Sequence, residues 1–163
     1  MPASPRLRYE SLTIDHLDRF HSLVQDAHVR RYLLDGEVFP REWSEARVRD
    51  SEDLVARRGV GLWLGFESPA SEPIGFCGFL ELPAAAGPQL VYALLERLTG
   101  RGYATEMARA SIEEARLNGF TEIVAGVDAV NVASVRVLEK LGFERAATLQ
   151  GAFGDMFTFR LPL

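Results

Sequence analysis

The chain has 163 residues, of which 47% are hydrophobic and 25% charged, and this composition predicts one globular domain and excludes a disordered chain. A net charge of −5 argues against a nucleic-acid partner, and the single cysteine excludes an internal disulfide. No apolar run is long enough to span a bilayer and no signal peptide is evident, so we expect a cytoplasmic protein without a membrane partner. We also expect a monomer or a homodimer.

The first half of the chain predicts a strand, a helix and a more weakly patterned segment. Residues 6–12 alternate partly between apolar and polar side chains, which predicts a first strand. Thr13 is typical of a helix N-cap, and apolar residues recur at helical spacing from there to Gln25. Beyond this helix the pattern predicts two short helices, at residues 29–34 and 42–56.

Three histidines also lie in this half of the chain. Their spacing matches neither a His-x-x-x-His pair nor a cluster with carboxylates, so no metal ion is expected. We interpret them as solvated surface residues: His16, His21 and His28.

Three strands are predicted in the middle of the chain. Residues 62–66 and 74–82 have alternating patterns and are joined by a loop with proline and serine, which predicts a β-hairpin. Cys77 stands between phenylalanines in the second run and is interpreted as a core thiol. After a turn of small residues at 83–88, a third apolar run at 89–96 predicts another strand.

A turn with two glycines follows and leads into a helix predicted over residues 103–117. The first N–H groups of a helix have no partner within it, and the helix dipole adds partial positive charge there. Gly100 and Gly102 permit the close approach of an anion and a positive φ. Two arginines of the turn, Arg97 and Arg101, add charge. The pattern therefore fits either a phosphate site or an ordinary turn.

The last third of the chain predicts a strand at residues 122–127, a short helix and two final strands. A strand, a helix and a strand with connections of this length form a parallel pair. Asn131 is a candidate cap of the short helix, which ends at Gly142. The final strands are predicted at residues 143–149 and 155–161. The element order therefore predicts an α/β fold, with one mixed sheet and helices on both faces.

Two linked motifs carry a resemblance to a known family. The first is Arg97-x-x-Gly100-x-Gly102 followed by Tyr103-Ala104-Thr105-Glu106, and the second runs from Asn131 through Ser134 to Leu141-Gly142-Phe143. Together they resemble the GNAT N-acetyltransferases, and among these the RimJ/RimL-like branch. The resemblance implies one acetyltransferase domain over residues 1–163, with a central, mostly antiparallel sheet and a splayed parallel strand pair.

The resemblance also implies how acetyl-CoA is bound. The glycine turn would hold the pyrophosphate, the strand before it would pair with the pantetheine arm, and the second motif would contact the pantetheine and the sulfur. The implied cofactor-binding residues are Ala93, Leu94, Leu95, Arg97, Leu98, Thr99, Gly100, Arg101, Gly102, Tyr103, Ala104, Thr105, Asn131 and Ser134. Asn131 as a helix cap and Ser134 as a first-turn residue are local alternatives that stay open.

The reaction implied by the resemblance is direct attack of a substrate amine on the thioester, without an acyl-enzyme. Many relatives carry a general-acid tyrosine four residues after the position of Ser134, whereas this chain has Leu138. Ser134 is the best remaining candidate either to protonate the departing sulfur or to hydrogen-bond to it, as the RimL-like pattern suggests. The candidate base is Glu81 or a water held by a carboxylate, and the alternative for Glu81 is a solvated strand end. Tyr92 is a further polar candidate in the strand before the turn, with packing alone as its alternative.

The expected acceptor is a primary amine, either a small molecule or the N-terminus of a peptide or protein. Its selection is expected to involve residues 26–58 and the loop 150–154. A second interpretation is a catalytically weak CoA-binding sensor or interaction module, which Leu138 and the unclear base favour. The intact pair of motifs and Ser134 favour the enzyme.

Overall fold

The described residues, 1–70, 72–82, 87–152 and 154–163 of a computed structural model, form a seven-stranded sheet and five α-helices. The helices are α1 Leu17–Gln25, α2 Ala27–Leu33, α3 Arg41–Arg58, α4 Tyr103–Leu117 and α5 Val132–Lys140. The strands are β1 Leu7–Ser11, β2 Leu62–Glu67, β3 Pro73–Glu81, β4 Pro88–Leu94, β5 Glu122–Asp128, β6 Glu144–Gly151 and β7 Gly154–Pro162. Within these ranges, no helix is both long and apolar enough to cross a membrane.

The sheet contains one parallel pair among strands that are otherwise antiparallel. Its order is β1-β2-β3-β4-β5-β7-β6, and the parallel neighbours are β4 and β5. In the described part of the chain these two strands pair only where Gln89 meets Val124, close to the beginning of β4. They therefore part toward their carboxyl ends and leave a gap in the middle of the sheet.

Helices cover both faces of the sheet. On one face, α4 presents the fully buried Ala108 and Ala115, whose small side chains let the helix lie close to the strands. On the other face, Phe20 of α1 packs edge to face against Phe76 of β3, with ring centroids 5.2 Å apart. The predicted mixed, mostly antiparallel sheet with helices on both faces and a splayed parallel pair is confirmed.

The ends of several elements differ from the sequence prediction, among them those of β4 and α3. β4 stops at Leu94 rather than at residue 96, because residues Glu96–Leu98 form a 3-10 helix that buries Leu98. α3 is one helix of 18 residues and extends beyond the short helix predicted at 42–56. It ends at Gly59, whose φ of 72° is the left-handed conformation of a helix C-cap. Ser71, Phe153 and residues 83–86 of the predicted loops lie outside the described residues.

The three histidines are half-buried rather than solvated, which corrects the prediction for them. The ring of His16 lies 3.1 Å from Glu10 through Nε2, and Nδ1 of His21 lies 2.8 Å from Oγ of Ser44. His28 packs edge to face against a tyrosine ring in the same helix. His16 thus contacts β1 and His21 contacts α3, whereas His28 packs within its own helix. In the described ranges, no three histidine, cysteine or carboxylate side chains gather in a metal-binding arrangement.

Candidate active site

The glycine turn presents a row of free backbone donors at the beginning of α4. Among the described residues, none accepts a hydrogen bond from the backbone N–H groups of residues 100–105. Gly100 and Gly102 have φ values of 74° and 82°, a region that side-chain-bearing residues rarely adopt. Successive N–H groups in such a turn form a concave nest for an anion, and the helix dipole strengthens it.

The side chains of the turn leave this nest open. Leu98 and Tyr103 are buried and anchor its two ends, and the hydroxyl of Tyr103 donates a hydrogen bond to Glu67. Thr99 points its hydroxyl back to the carbonyl of Glu96, at 2.8 Å. Two exposed arginines of the turn form no ion pair within the described chain: Arg97 and Arg101. An incoming anion can therefore meet both positive side chains and free N–H groups.

Arg6, just before β1, holds the turn from outside, and sequence reasoning missed it. Its backbone N–H donates to Glu106 of α4 at 2.9 Å and its Nε donates to the same carboxylate at 2.7 Å. Its Nη1 donates to the carbonyl of Arg101 at 3.1 Å, and the guanidinium lies 4.3 Å from the ring centroid of Tyr103. Burial acts to raise the pKa of Glu106, but the hydrogen bonds from Arg6 and Ser4 and the charge of Arg6 outweigh it, so the pKa is lowered. These contacts, which we call the clamp formed by Arg6, pair the carboxylate of Glu106 near the nest with Arg6 and fix the position of the turn.

The backbone of β4 beyond Gln89 faces the gap on one side and β3 on the other. Ala93 and Leu94 pair with Phe76 and Gly75 of β3. The N–H of Leu95 donates to a carbonyl of β3 at 3.0 Å and its carbonyl accepts the N–H of Leu98 at 3.0 Å, so both backbone groups of Leu95 have partners. Alternate residues of a strand direct their backbone groups to opposite sides, so those of Leu94 face the gap. An extended chain could therefore pair with β4 there.

A pair of hydroxyl groups spans the gap on the α4 face. The hydroxyl of Tyr92, on β4, lies 2.7 Å from Oγ of Ser134 and 3.3 Å from its carbonyl oxygen, in the first turn of α5. Burial raises the pKa of Tyr92 to about 12, although the hydrogen bond with Ser134 lowers it in part, so the phenol stays protonated at neutral pH. Asn131 caps α5 by accepting the N–H of Ser134 at 3.1 Å. Leu138 is only 1% exposed and belongs to the core.

Glu81 lies away from this hydroxyl pair. Its carboxylate accepts a hydrogen bond from Nη2 of Arg57 on α3 at 2.9 Å, at the exposed end of β3. It stands four residues beyond Cys77, the residue that pairs with Tyr92, which corresponds to roughly 13 Å along a strand. Cys77 itself is fully buried, and burial raises the pKa of its thiol to about 12. The structure thus brings together Tyr92 and Ser134, but not Glu81.

Two cavities lie on the opposite face of the sheet. The first, which we call the α2 cavity, has a volume of about 430 Å³ and lies between α2 and the carboxyl end of β5. Its lining includes Arg30, Arg31, Tyr32, Asp35, Asp128 and Val130. The second, of about 420 Å³, lies where α1 meets α2 and reaches Leu95 and Arg97 beside the glycine turn. The α2 cavity thus borders the end of β5, and the second cavity borders the end of β4.

Comparison with known proteins adds a family match to this geometry. Residues 6–144 match the family described as an acetyltransferase (GNAT) domain. The Bacillus subtilis protein YkkB, described as uncharacterized, is 29% identical over 141 residues, which cover 83% of this chain and 80% of that protein. An L-methionine sulfoximine/L-methionine sulfone acetyltransferase of Pseudomonas paraeruginosa is 33% identical over 105 residues, or 63% of this chain and 56% of that one.

A solved structure agrees with the fold over nearly the whole chain. The RimL ribosomal L7/L12 α-N-protein acetyltransferase, in complex with coenzyme A, has a TM-score of 0.82 to this chain. The two share 20% identity over 99% of this chain and 97% of the other. At that identity the likeness shows the fold and does not distinguish one branch of relatives from another.

Proposed function

Because this chain belongs to the GNAT acetyltransferase family, we propose that it transfers an acetyl group to a primary amine by direct attack of that amine. Family membership makes the chain an acetyltransferase with acetyl-CoA as the acetyl donor. The amine acceptor and the direct route are our proposal. The observation that carries it is the row of six N–H groups at the beginning of α4 that have no acceptor in the described part of the chain, beside an open pair of parallel strands.

The residues around the gap fit acetyl-CoA, which when bound supplies a thioester whose carbonyl is reactive toward amines. The free N–H groups of residues 100–105 would hold the pyrophosphate, because they offer converging donors at a helix N-terminus. Arg97 and Arg101 would add charge-assisted hydrogen bonds. Leu98, Thr99 and Tyr103 would keep the turn in shape.

The strands on either side of the gap would hold the pantetheine arm. Ala93, Leu94 and Leu95 would line it, and Leu94 directs its backbone groups into the gap. Asn131 uses its side-chain oxygen as the cap of α5, so its amide nitrogen would be the donor toward the pantetheine.

Ser134 would donate its proton to the departing sulfur, with Tyr92 as its partner. The phenol of Tyr92 stays protonated at neutral pH and lies within hydrogen-bond distance of the serine oxygen. It can therefore orient the serine hydroxyl and return a proton to it. This arrangement supplies a tyrosine hydroxyl from β4, whereas the position used by many relatives is the buried Leu138.

The acceptor must lose a proton before it attacks. At pH 7 deprotonation costs about 1.4 kcal/mol for an α-amino group of pKa near 8 and roughly 4.6 kcal/mol for a lysine amine. The proposal therefore favours α-amines, which need no strong base. Glu81 has no part in it, because its carboxylate is held by Arg57 at the surface, far from Ser134.

The relatives suggest two kinds of α-amine acceptor. One carries the name of an acetyltransferase for L-methionine sulfoximine and L-methionine sulfone, and another is named for a ribosomal protein N-terminus. The RimJ/RimL-like branch is part of our proposal and is supported by Asn131 and Ser134 at their family spacing.

Thiol release from acetyl-CoA tests the proposal directly. The full chain is mixed with acetyl-CoA and, in turn, with L-methionine sulfoximine, L-methionine sulfone, a short peptide and a diamine, and the product is identified by mass spectrometry. We expect N-acetylation of at least one α-amine and a loss of roughly 100-fold in kcat for Ser134→Ala. Ser68→Ala, in an exposed loop, is the control. Tight CoA binding without release of thiol for any amine would contradict amine transfer.

A further inference from the structure

We propose that the α2 cavity is the acceptor site and that it selects a small zwitterionic amine, which carries an ammonium group and a carboxylate in one molecule. This inference rests on the proposed function and names the substrate class for it. Its basis is a set of charged side chains of both signs that face one cavity and have no ionic partner among the described residues.

The cavity lies where an acceptor has to arrive. Asp128 is the last residue of β5 and follows Val124, the residue that pairs with β4, by four positions. Alternate residues of β5 such as Val127 pack against the α4 face, so Asp128 is on the opposite face of the sheet. An amine held there would approach the gap from the side opposite Tyr92 and Ser134. The amine would then reach the thioester from one face of the sheet, and the departing sulfur would receive its proton from residues on the other face.

Two carboxylates give the cavity its negative charge. Within the described chain, neither Asp35 nor Asp128 forms an ion pair or accepts a hydrogen bond through its side chain. Asp35 is held in a left-handed turn with a φ of 57°, next to Gly36, whose N–H donates to the carbonyl of Arg30 at 2.8 Å. Burial raises the pKa of Asp128 and the charge of Asp35 adds to the rise. An ammonium group between them would relieve this repulsion.

Two arginines at the end of α2 give the cavity its positive charge. The Nε of Arg30 donates to the carbonyl of Gln25 at 3.1 Å, which fixes the side chain while its terminal nitrogens stay free of ion pairs in the described residues. The guanidinium of Arg31 lies 5.2 Å from the ring centroid of Tyr32. A guanidinium held in this way is suited to bind a carboxylate with two parallel hydrogen bonds.

The balance of charge and the size of the cavity together select the ligand. Two positive and two negative side chains suit a molecule with one group of each sign, whereas a polyamine would leave both arginines without a partner. The volume of about 430 Å³ is that of a site for a small molecule. Val130 offers an apolar wall for a side chain of the acceptor. The first residue of a peptide lacks the free carboxylate that Arg30 and Arg31 would bind.

The test compares L-α-amino acids with their carboxamides, which keep the amine and lose the negative charge. Thiol release from acetyl-CoA is measured with the full chain for each pair, and binding of the same compounds to the CoA-loaded protein is measured by calorimetry. We expect kcat/KM to be roughly 30-fold higher for the best amino acid than for its carboxamide, with a matching difference in Kd. Equal or better activity with carboxamides or peptides would overturn the zwitterion assignment and leave amine transfer standing. No turnover with any amine would overturn the proposed function itself.

Two variants test where the carboxylate and the ammonium group of the acceptor bind. Arg31→Gln is expected to raise KM for the amino acid about tenfold and to leave the carboxamide unchanged, since only the former loses a charge-assisted contact. Asp128→Asn is expected to raise KM for both compounds, since both carry the ammonium group. The controls are Arg109→Gln on α4 and Asp15→Asn before α1, both exposed and outside the cavity. An equal rise in KM for the amino acid and the carboxamide in Arg31→Gln would contradict the placement of the carboxylate.

Discussion

Replacing Tyr92 by phenylalanine removes one hydroxyl group and leaves the ring in the core. The change deletes the 2.7 Å contact with Oγ of Ser134, while Ser134 keeps its own hydroxyl. A hydrogen bond of this kind has a net worth of about 1 to 1.5 kcal/mol. If the phenol acts only by orienting Ser134, kcat should fall about five- to tenfold, since 1.4 kcal/mol corresponds to a factor of ten. If it also returns the proton, the loss should approach the 100-fold range of general acid catalysis.

The assay is steady-state thiol release with saturating acetyl-CoA, so that kcat and the KM of the amine are separated. Tyr9→Phe is a matched control, because this buried tyrosine also contacts a serine hydroxyl, Oγ of Ser4 at 3.1 Å, away from the gap. The double variant with Ser134→Ala should be no slower than Ser134→Ala alone, because Tyr92 acts through the serine. An unchanged kcat for Tyr92→Phe, or losses that multiply in the double variant, would refute this reasoning.

Three further predictions concern the turn and the core. Gly102→Val forces a β-branched residue to a φ of 82°, so CoA affinity measured by calorimetry should fall by more than about tenfold while circular dichroism stays native; unchanged affinity would remove the turn from the site. Leu138→Tyr overpacks a residue that is 1% exposed, so urea unfolding should show a loss of about 1 to 3 kcal/mol without a gain in kcat, and a faster enzyme would contradict our account. Cys77, whose pKa burial raises to about 12, should resist iodoacetamide at pH 8 until the protein is unfolded; rapid labelling of the native protein would show that the thiol is accessible.

Local signals in the sequence predicted the helix at the centre of the site well. The structure gives α4 the predicted bounds, because Gly102 at its beginning and the spacing of small apolar residues act within a few positions. The end of β4 was predicted wrongly, since apolar residues continue to Leu95 and Leu98 is buried by a 3-10 helix rather than by a strand. Periodicity alone does not distinguish these two ways of burying a leucine.

The contacts that complete the site join residues far apart in the chain, and no local pattern reports them. Tyr92 and Ser134 are 42 residues apart in the chain. They come together because β4, which carries Tyr92, is the parallel neighbour of β5, which leads into the helix of Ser134. Arg6 and Glu106 are 100 residues apart. Glu81 could be placed on its strand from the sequence, but its ion pair with Arg57 depends on how α3 lies over the sheet.

The contacts of Arg6 also couple the local unfolding of β1 to the occupancy of the nest. Among the described strands, β1 lies at the edge of the sheet and pairs with β2 alone, and such strands are the first to fray. Because the residue just before it grips Glu106 and the carbonyl of Arg101, peeling β1 away would loosen the nest, and filling the nest would oppose the peeling. Amide hydrogen exchange in Leu7–Ser11 should therefore slow when acetyl-CoA is added. The exchange rate of this edge strand would then report whether the nest at the beginning of α4 is occupied.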